Sequence, residues 1–235
     1  MARCAPTVGN IETYKREAAR AAVAEVQDGM LVGLGTGTTT TFAIAALGER
    51  VAAGLRVATV VTSFATARQA EAVGLRVLAF DTLDKVDLAI DGADEIDTHL
   101  RAIKGGGGAM LREKIVAAAA EHMVAIVDAS KLVARLGACA LPVEVLPFAA
   151  GFVSRRIETL GAIVDKRMTA GSLYRTDQNN VVLDCRFAAI DDPEALAIAL
   201  SAIPGMLGHG LFIDEIDAVY VAGKDGILHL TREAP

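Results

Sequence analysis

Four carboxylates, Asp91, Asp94, Glu95 and Asp97, are crowded into one short segment, with Gly92 and Ala93 between the first two. Shortly after them Lys104 precedes four glycines, Gly105, Gly106, Gly107 and Gly108. Carboxylates perform general acid–base work, and an ammonium beside open backbone N–H groups stabilises an oxyanion. Upstream, Gly33-Leu34-Gly35-Thr36-Gly37-Thr38-Thr39 offers small residues and hydroxyls suited to a phosphate group. Together they point to proton transfer on a small phosphorylated substrate.

Each motif has a plainer alternative. The acidic cluster also reads as a solvated loop, or as a divalent metal site, although the EF-hand spacing fails and no histidine is placed to help. The glycine run also reads as a flexible linker, against which stands the helix predicted directly after it. The upstream loop lacks the third glycine of a dinucleotide fingerprint. The second predicted strand ends in Val61-Thr62-Ser63 with no ribose-binding acid, and no Gly-Lys-Ser/Thr completes a P-loop. What remains is an anion site at a helix N-terminus, or a tight strand–helix turn capped by threonine. By periodicity alone, Arg112-Glu113-Lys114 reads as a solvated charged face. Lys15 is ordinary by itself, the four histidines are scattered, and Asp184 and the stretch 214–217 read as surface or turn.

The elements that must position these residues follow from apolar periodicity. A helix is predicted over 11–27, with Ile11, Tyr14, Ala18, Ala21, Ala22 and Val26 on one face. Strands are predicted over 30–34, 57–61, 75–79, 86–90 and 124–127, and helices over 39–53, 65–73 and 109–121. Continuous apolar strands alternating with helices indicate a mainly parallel, Rossmann-like sheet covered on both faces. Ligands bind beyond the carboxyl ends of such strands, so Thr36, Asp91 and Lys131 are expected on one rim. From about residue 141 the order becomes β-α-β-β-α-β, which is ferredoxin-like. The expectation is therefore an α/β chain of two domains. Residues 1–135 with 207–235 would form the Rossmann-like catalytic domain, and 136–206 a smaller ferredoxin-like α+β domain. The last predicted strand, 207–212, fits either sheet, and a hairpin around Lys224-Asp225-Gly226 returns to the first.

Composition narrows the partners. Among 235 residues, 53% are apolar but only 4% aromatic, so the core is built of Ala, Val, Leu and Ile. The net charge of −6 and the lack of a basic run argue against nucleic acid. Cys4, Cys139 and Cys185 are far apart with no CxxC or Cys/His ligand spacing, and their odd count argues against a disulfide framework, which suits a reducing compartment. The N-terminus lacks a signal-type apolar segment. The uncharged stretch from Gly29 to Gly48 is broken by glycine and threonine, so no membrane span is expected. The chain reads as soluble and cytoplasmic.

These motifs, taken in order, resemble the type A ribose-5-phosphate isomerase family. The resemblance is carried by Gly35-Thr36-Gly37-Thr38-Thr39, Asp91-Gly92-Ala93-Asp94-Glu95-Ile96 and Ile103-Lys104-Gly105-Gly106-Gly107. Arg112-Glu113-Lys114-Ile115, Asp128-Ala129-Ser130-Lys131 and Leu141-Pro142-Val143-Glu144-Val145 extend it across nearly the whole chain. It implies aldose–ketose isomerisation between ribose 5-phosphate and ribulose 5-phosphate, with no metal and no organic cofactor. It also implies a homodimer or homotetramer. By resemblance Glu113 is the catalytic base, helped by Asp91, Asp94 and Lys104. The substrate would meet Gly92, Ala93, Gly105, Gly106 and Gly107, and its phosphate Thr36, Gly37, Thr38, Thr39, Lys131 and Lys15. The sequence departs from the family pattern at Thr38, where serine is usual, and at Gly108, where alanine is common. It departs again at Thr176-Asp177-Gln178-Asn179-Asn180, a segment distant from the chemistry in sequence.

Overall fold

The structure is a computed structural model and describes residues 8–232; Cys4 lies outside them. The described chain begins with α1 (Val8–Ala24), β1 (Leu31–Leu34), α2 (Thr38–Ala52), β2 (Ala58–Val61) and α3 (Phe64–Ala72). Then β3 (Leu88–Gly92) leads through short β4 (Glu95–Ile96) and β5 (Ala102–Ile103) into α4 (Met110–Ala119) and β6 (Met123–Asp128). Next come β7 (Leu141–Val145), α5 (Ala150–Glu158), β8 (Ile163–Lys166), the ribbon β9 (Met168–Thr169) and β10 (Ser172–Leu173), and β11 (Val181–Arg186). Finally α6 (Pro193–Ser201) and β12 (Met206–His209) precede β13 (Leu211–Phe212) and the hairpin β14 (Ala218–Gly223) and β15 (Gly226–Thr231).

The large sheet runs β15-β14-β6-β3-β1-β2, parallel except for the edge pair β14–β15. Its strands read as unbroken apolar runs because both faces are covered. Along β6, Val124 and Ile126 face the layer of α1 and α2, whereas Met123, Ala125 and Val127 face the layer holding Val116 of α4 and Phe212. Ala18, Ala19 and Ala22 let α1 lie close against this sheet. From β1 the chain steps to β2 on one side and then to β3 on the other. Adjacent strands whose connections leave in opposite directions open a crevice at their carboxyl ends, which here lies between β1 and β3.

The smaller sheet is antiparallel, in the order β12-β7-β11-β8. With α5 and α6 it has the ferredoxin-like arrangement, around Leu141, Val143, Val153, Ile157, Leu183 and Leu200. The fold is thus α/β, with a Rossmann-like sheet beside a smaller α+β layer.

Two expectations are corrected. The strand predicted over 75–79 is reduced to a single bridge, Thr59 to Val77, at the open edge beside β2. The strand predicted over 207–212 breaks at Gly210. Gly210 accepts from Lys104 N–H and donates to Pro142 O, both at 2.8 Å, and a Cβ there would stand 2.1 Å from Lys104 O. The strand therefore crosses at a glycine from the smaller sheet to a three-stranded sheet, β13-β5-β4, which carries Lys104 at its end. Among the described residues no helix is long and apolar enough to cross a membrane.

Candidate active site

A cleft of about 320 Å³ opens at the β1–β3 crevice. Its wall beyond β1 is Thr36, Gly37, Thr38 and Thr39; Gly92 ends β3, and Ala93 and Asp94 follow it; Lys131 follows β6; and Lys15 reaches in from α1. Lys104, Gly105, Gly106 and Gly107 with Glu113 complete the lining. Every residue given a catalytic or substrate-binding role by the resemblance lines this cleft except Asp91, whereas Glu95, Asp97 and Gly108 of the two opening motifs do not.

The phosphate-type loop is built from behind. Gly35 is obligatory, because a Cβ there would overlap the Asp91 carboxyl at 1.7 Å. The Thr36 hydroxyl turns away from the cleft into a hydroxyl cluster, 2.8 Å from Thr62, 2.9 Å from Ser63 and 3.0 Å from Thr66. Thr66 in turn donates to Gly35 O at 2.9 Å. The stretch that lacked a ribose-binding acid therefore fixes the loop. Helix α2 starts after Gly37, at φ 147°, with no side-chain cap, so the alternative of a turn capped by threonine does not hold. Its first N–H groups remain open beside Thr38, whose hydroxyl accepts from Lys15 Nζ at 2.9 Å. Open N–H groups and the helix dipole favour an anion there.

The four carboxylates separate into four tasks, which corrects the solvated-loop reading. Glu95 is buried and takes the N–H groups of Gly137 and Cys139. Asp97 is buried and holds a turn through His99 N–H, Arg101 N–H and the Arg101 guanidinium. Asp94 faces the cleft and accepts from Gly106 N–H at 2.8 Å. Asp91 takes Thr40 Oγ1 at 3.0 Å and Gly92 N–H at 2.7 Å on one oxygen, and Lys104 Nζ at 2.6 Å on the other.

Lys104, Asp91 and Glu113 form the floor, with side chains 2%, 4% and 2% exposed. Lys104 also donates to Gly92 O. Glu113 Oε2 lies 3.4 Å from Lys104 Nζ, within ion-pair reach, but without an aligned hydrogen bond. A buried acceptor left unmade costs about 1–3 kcal/mol, so this carboxylate is held against its preference for solvent. Burial, with Asp91 nearby, pushes the Glu113 carboxyl up to about 8, against the pull of Lys104. Burial opposes the charge on Lys104, but Asp91 and Glu113 outweigh it and hold the ammonium above its ordinary value.

The solvated-face reading of 112–114 is overturned. Successive helical residues point about 100° apart. Glu113 enters the floor, Lys114 turns to Glu215 at 2.9 Å, and Arg112 stacks on Phe64 at 4.9 Å. Asp177 receives Phe64 N–H at 2.7 Å and lies 3.7 Å from Arg112. The 176–180 segment, distant in sequence, is therefore beside the site. Among the described residues no group of three or more His, Cys, Asp or Glu is placed to hold a metal ion.

Comparison with known proteins decides the lineage. The profile of ribose 5-phosphate isomerase A (phosphoriboisomerase A) matches residues 58–226. A ribose-5-phosphate isomerase A of Sphingopyxis alaskensis is 50% identical over 218 residues, covering 93% of this chain and 96% of the relative. This chain belongs to the ribose 5-phosphate isomerase A family. Its structure is similar to that of the Methanocaldococcus jannaschii family member, with TM-score 0.89, 38% identity and 94% and 99% of the two chains covered. It is also similar to a D-ribose-5-phosphate isomerase in complex with phospho-erythronic acid, with TM-score 0.92, 36% identity and 95% and 100% covered.

Proposed function

We propose that this chain interconverts D-ribose 5-phosphate and D-ribulose 5-phosphate through an enediolate. The observation that carries the reading is Glu113, a buried carboxylate with an unpartnered oxygen, lining one cleft with Lys104 and the open N-terminus of α2.

In the open-chain aldose, the Glu113 carboxylate takes the proton from C2. The C–H electrons form the C1–C2 double bond, and the carbonyl electrons move onto O1. The O2 proton passes to O1, and Glu113 returns its proton to C1, leaving the carbonyl at C2. A base whose pKa lies near the working pH suits both transfers. Lys104 spends one N–H on Asp91 and one on Gly92 O, leaving a third for the developing oxyanion. Asp91 is fully engaged and serves to fix Lys104. Asp94, at the surface of the cleft, is the carboxylate that assists ring opening. Thr38, Thr39, Lys15, Lys131 and the first N–H groups of α2 hold the phosphate, and Thr36 shapes their loop. Gly37, Gly92, Ala93, Gly105, Gly106 and Gly107 let the sugar lie against backbone. Distance from phosphate to C1 and C2 then sets the reacting carbons against Glu113.

The division into 1–135 with 207–235, and 136–206, is proposed on the same basis, the second unit buttressing the glycine loop. A homodimer or homotetramer is supported by Leu146, Phe148 and Phe152, which leave an apolar patch exposed before and on α5. The proposed setting is the cytoplasm, where charge retains a sugar phosphate. The test is formation of ribulose 5-phosphate from ribose 5-phosphate with chelator present. Turnover is expected; a folded protein that binds the sugar phosphate without converting it would overturn the reading.

A further inference from the structure

Between β8 and β9 the chain passes through Arg167, whose side chain is 15% exposed. Its Nε donates to Asp184 Oδ2 at 3.0 Å and its Nη2 to Asp184 Oδ1. This two-point pairing fixes the plane of the guanidinium. Its Nη1 reaches the glycine loop, 2.9 Å from Gly105 O and 3.2 Å from Gly106 O. Beside it the Tyr174 hydroxyl donates to Gly107 O at 3.3 Å. Neither side chain lines the cleft, so successive loop carbonyls are gripped from behind. Gly108 admits the tyrosine: a Cβ there would stand 2.1 Å from its hydroxyl oxygen.

A trans peptide sets its C=O and the following N–H in opposite directions, and none of these bonds is cis. The partner of the Gly105 carbonyl is Gly106 N–H, which donates to Asp94. The partner of the Gly107 carbonyl is Gly108 N–H, which donates to Gly105 O at 2.9 Å. The middle peptide differs. Its carbonyl is held by Arg167, and its N–H, on Gly107, has no hydrogen-bond partner among the described residues and borders the cleft.

We propose that Arg167 is a positioning residue for the isomerisation, aiming and polarising the Gly107 N–H as a donor to the enediolate oxygen. The proposal rests on the isomerase reading. An N–H stabilises an oxyanion only when its orientation is fixed before the reaction. A run of glycines has no such order of its own. The guanidinium supplies it, and its charge strengthens the peptide dipole it touches.

The test compares wild type with Arg167→Ala and Arg167→Lys. Steady-state kinetics on ribose 5-phosphate are combined with binding of phospho-erythronic acid, whose carboxylate stands in for the enediolate oxygens, and of inorganic phosphate. Arg167→Ala is expected to lower kcat about 10- to 100-fold with KM within about 2-fold. Phospho-erythronic acid should lose affinity by a similar factor while phosphate binding stays unchanged. Guanidinium ion should restore part of the activity of this variant. Arg167→Lys keeps charge and stem, but one ammonium cannot span Asp184 and the loop carbonyls, so kcat should fall at least about 5-fold. If the alanine variant does not fold, the lysine variant decides. Wild-type kcat in the variants that fold, or equal loss of affinity for both ligands, would overturn the proposal and leave the isomerase reading standing. A wild type that does not isomerise would overturn both.

Discussion

The two ends of the cleft use the same residue types under different physical conditions. At the proposed phosphate end, Lys15 and Lys131 are half-buried, and Gly37 and Thr38 are open to solvent. At the other end, Lys104, Asp91 and Glu113 are almost wholly enclosed. Water screens the first set, so each cation adds modest attraction and can yield without harm to the fold. No such screening reaches the floor. There one ammonium stands between two carboxyl groups, and removing it leaves carboxylate charge that burial opposes. Grip is thus assigned to the wet end and chemistry to the dry end. Substitutions should separate accordingly into effects on KM and effects on kcat.

The largest expected effect is at the base. Glu113→Gln keeps the shape and removes the proton acceptor, so kcat should fall about 10²–10⁴-fold with little change in substrate affinity. Near-normal turnover would remove Glu113 from that role. Next, Lys104→Met should lower kcat about 10²–10³-fold and also lower Tm, because Asp91 and Glu113 lose their shared cation. A variant that loses activity but keeps its Tm would mean that the floor is less coupled than its distances indicate. At the wet end, Lys131→Ala should raise KM about 10-fold, near 1.4 kcal/mol, with kcat almost unchanged. A fall in kcat alone would place Lys131 with the chemistry and blur the comparison. The smallest effect concerns stability. The folded-state pKa of Glu113 lies above its unfolded value, so its contribution is present below about 4.3 and lost as pH rises through about 8. Glu113→Gln escapes that loss, and its Tm relative to wild type should climb between pH 5 and pH 9. A constant difference would show that charging Glu113 costs the fold nothing.

The wet end was readable in the sequence because its determinants are local. Gly35, Gly37 and the threonines act through the turn they themselves make, and strand-end placement alone brings Thr36, Asp91 and Lys131 to one rim. The floor was less readable. Periodicity assigns Glu113 to a charged surface, and only the family resemblance marked it. Its burial depends on α4 packing against β3, β7 and β12, contacts between segments far apart in the chain. The same holds for Asp184 and Asp177. Asp184 reads as surface or turn and Asp177 lies in a segment distant from the chemistry in sequence, yet one fixes Arg167 behind the glycine loop and the other ties the 176–180 segment to Phe64 and Arg112. The hydroxyl cluster of Thr62, Ser63 and Thr66 left no pattern beyond small polar residues after a strand. The break at Gly210 was equally hidden, since a lone glycine in an apolar run carries no sign of the carbonyl that approaches it.

The most direct test of the contrast between the two ends is the titration of Glu113 itself. With ¹³C-labelled glutamate, the carboxyl resonance present in wild type and absent from Glu113→Gln should titrate at about 8. A resonance titrating near the ordinary glutamate value of about 4.3 would contradict the account, because the floor would then be as wet as the rim.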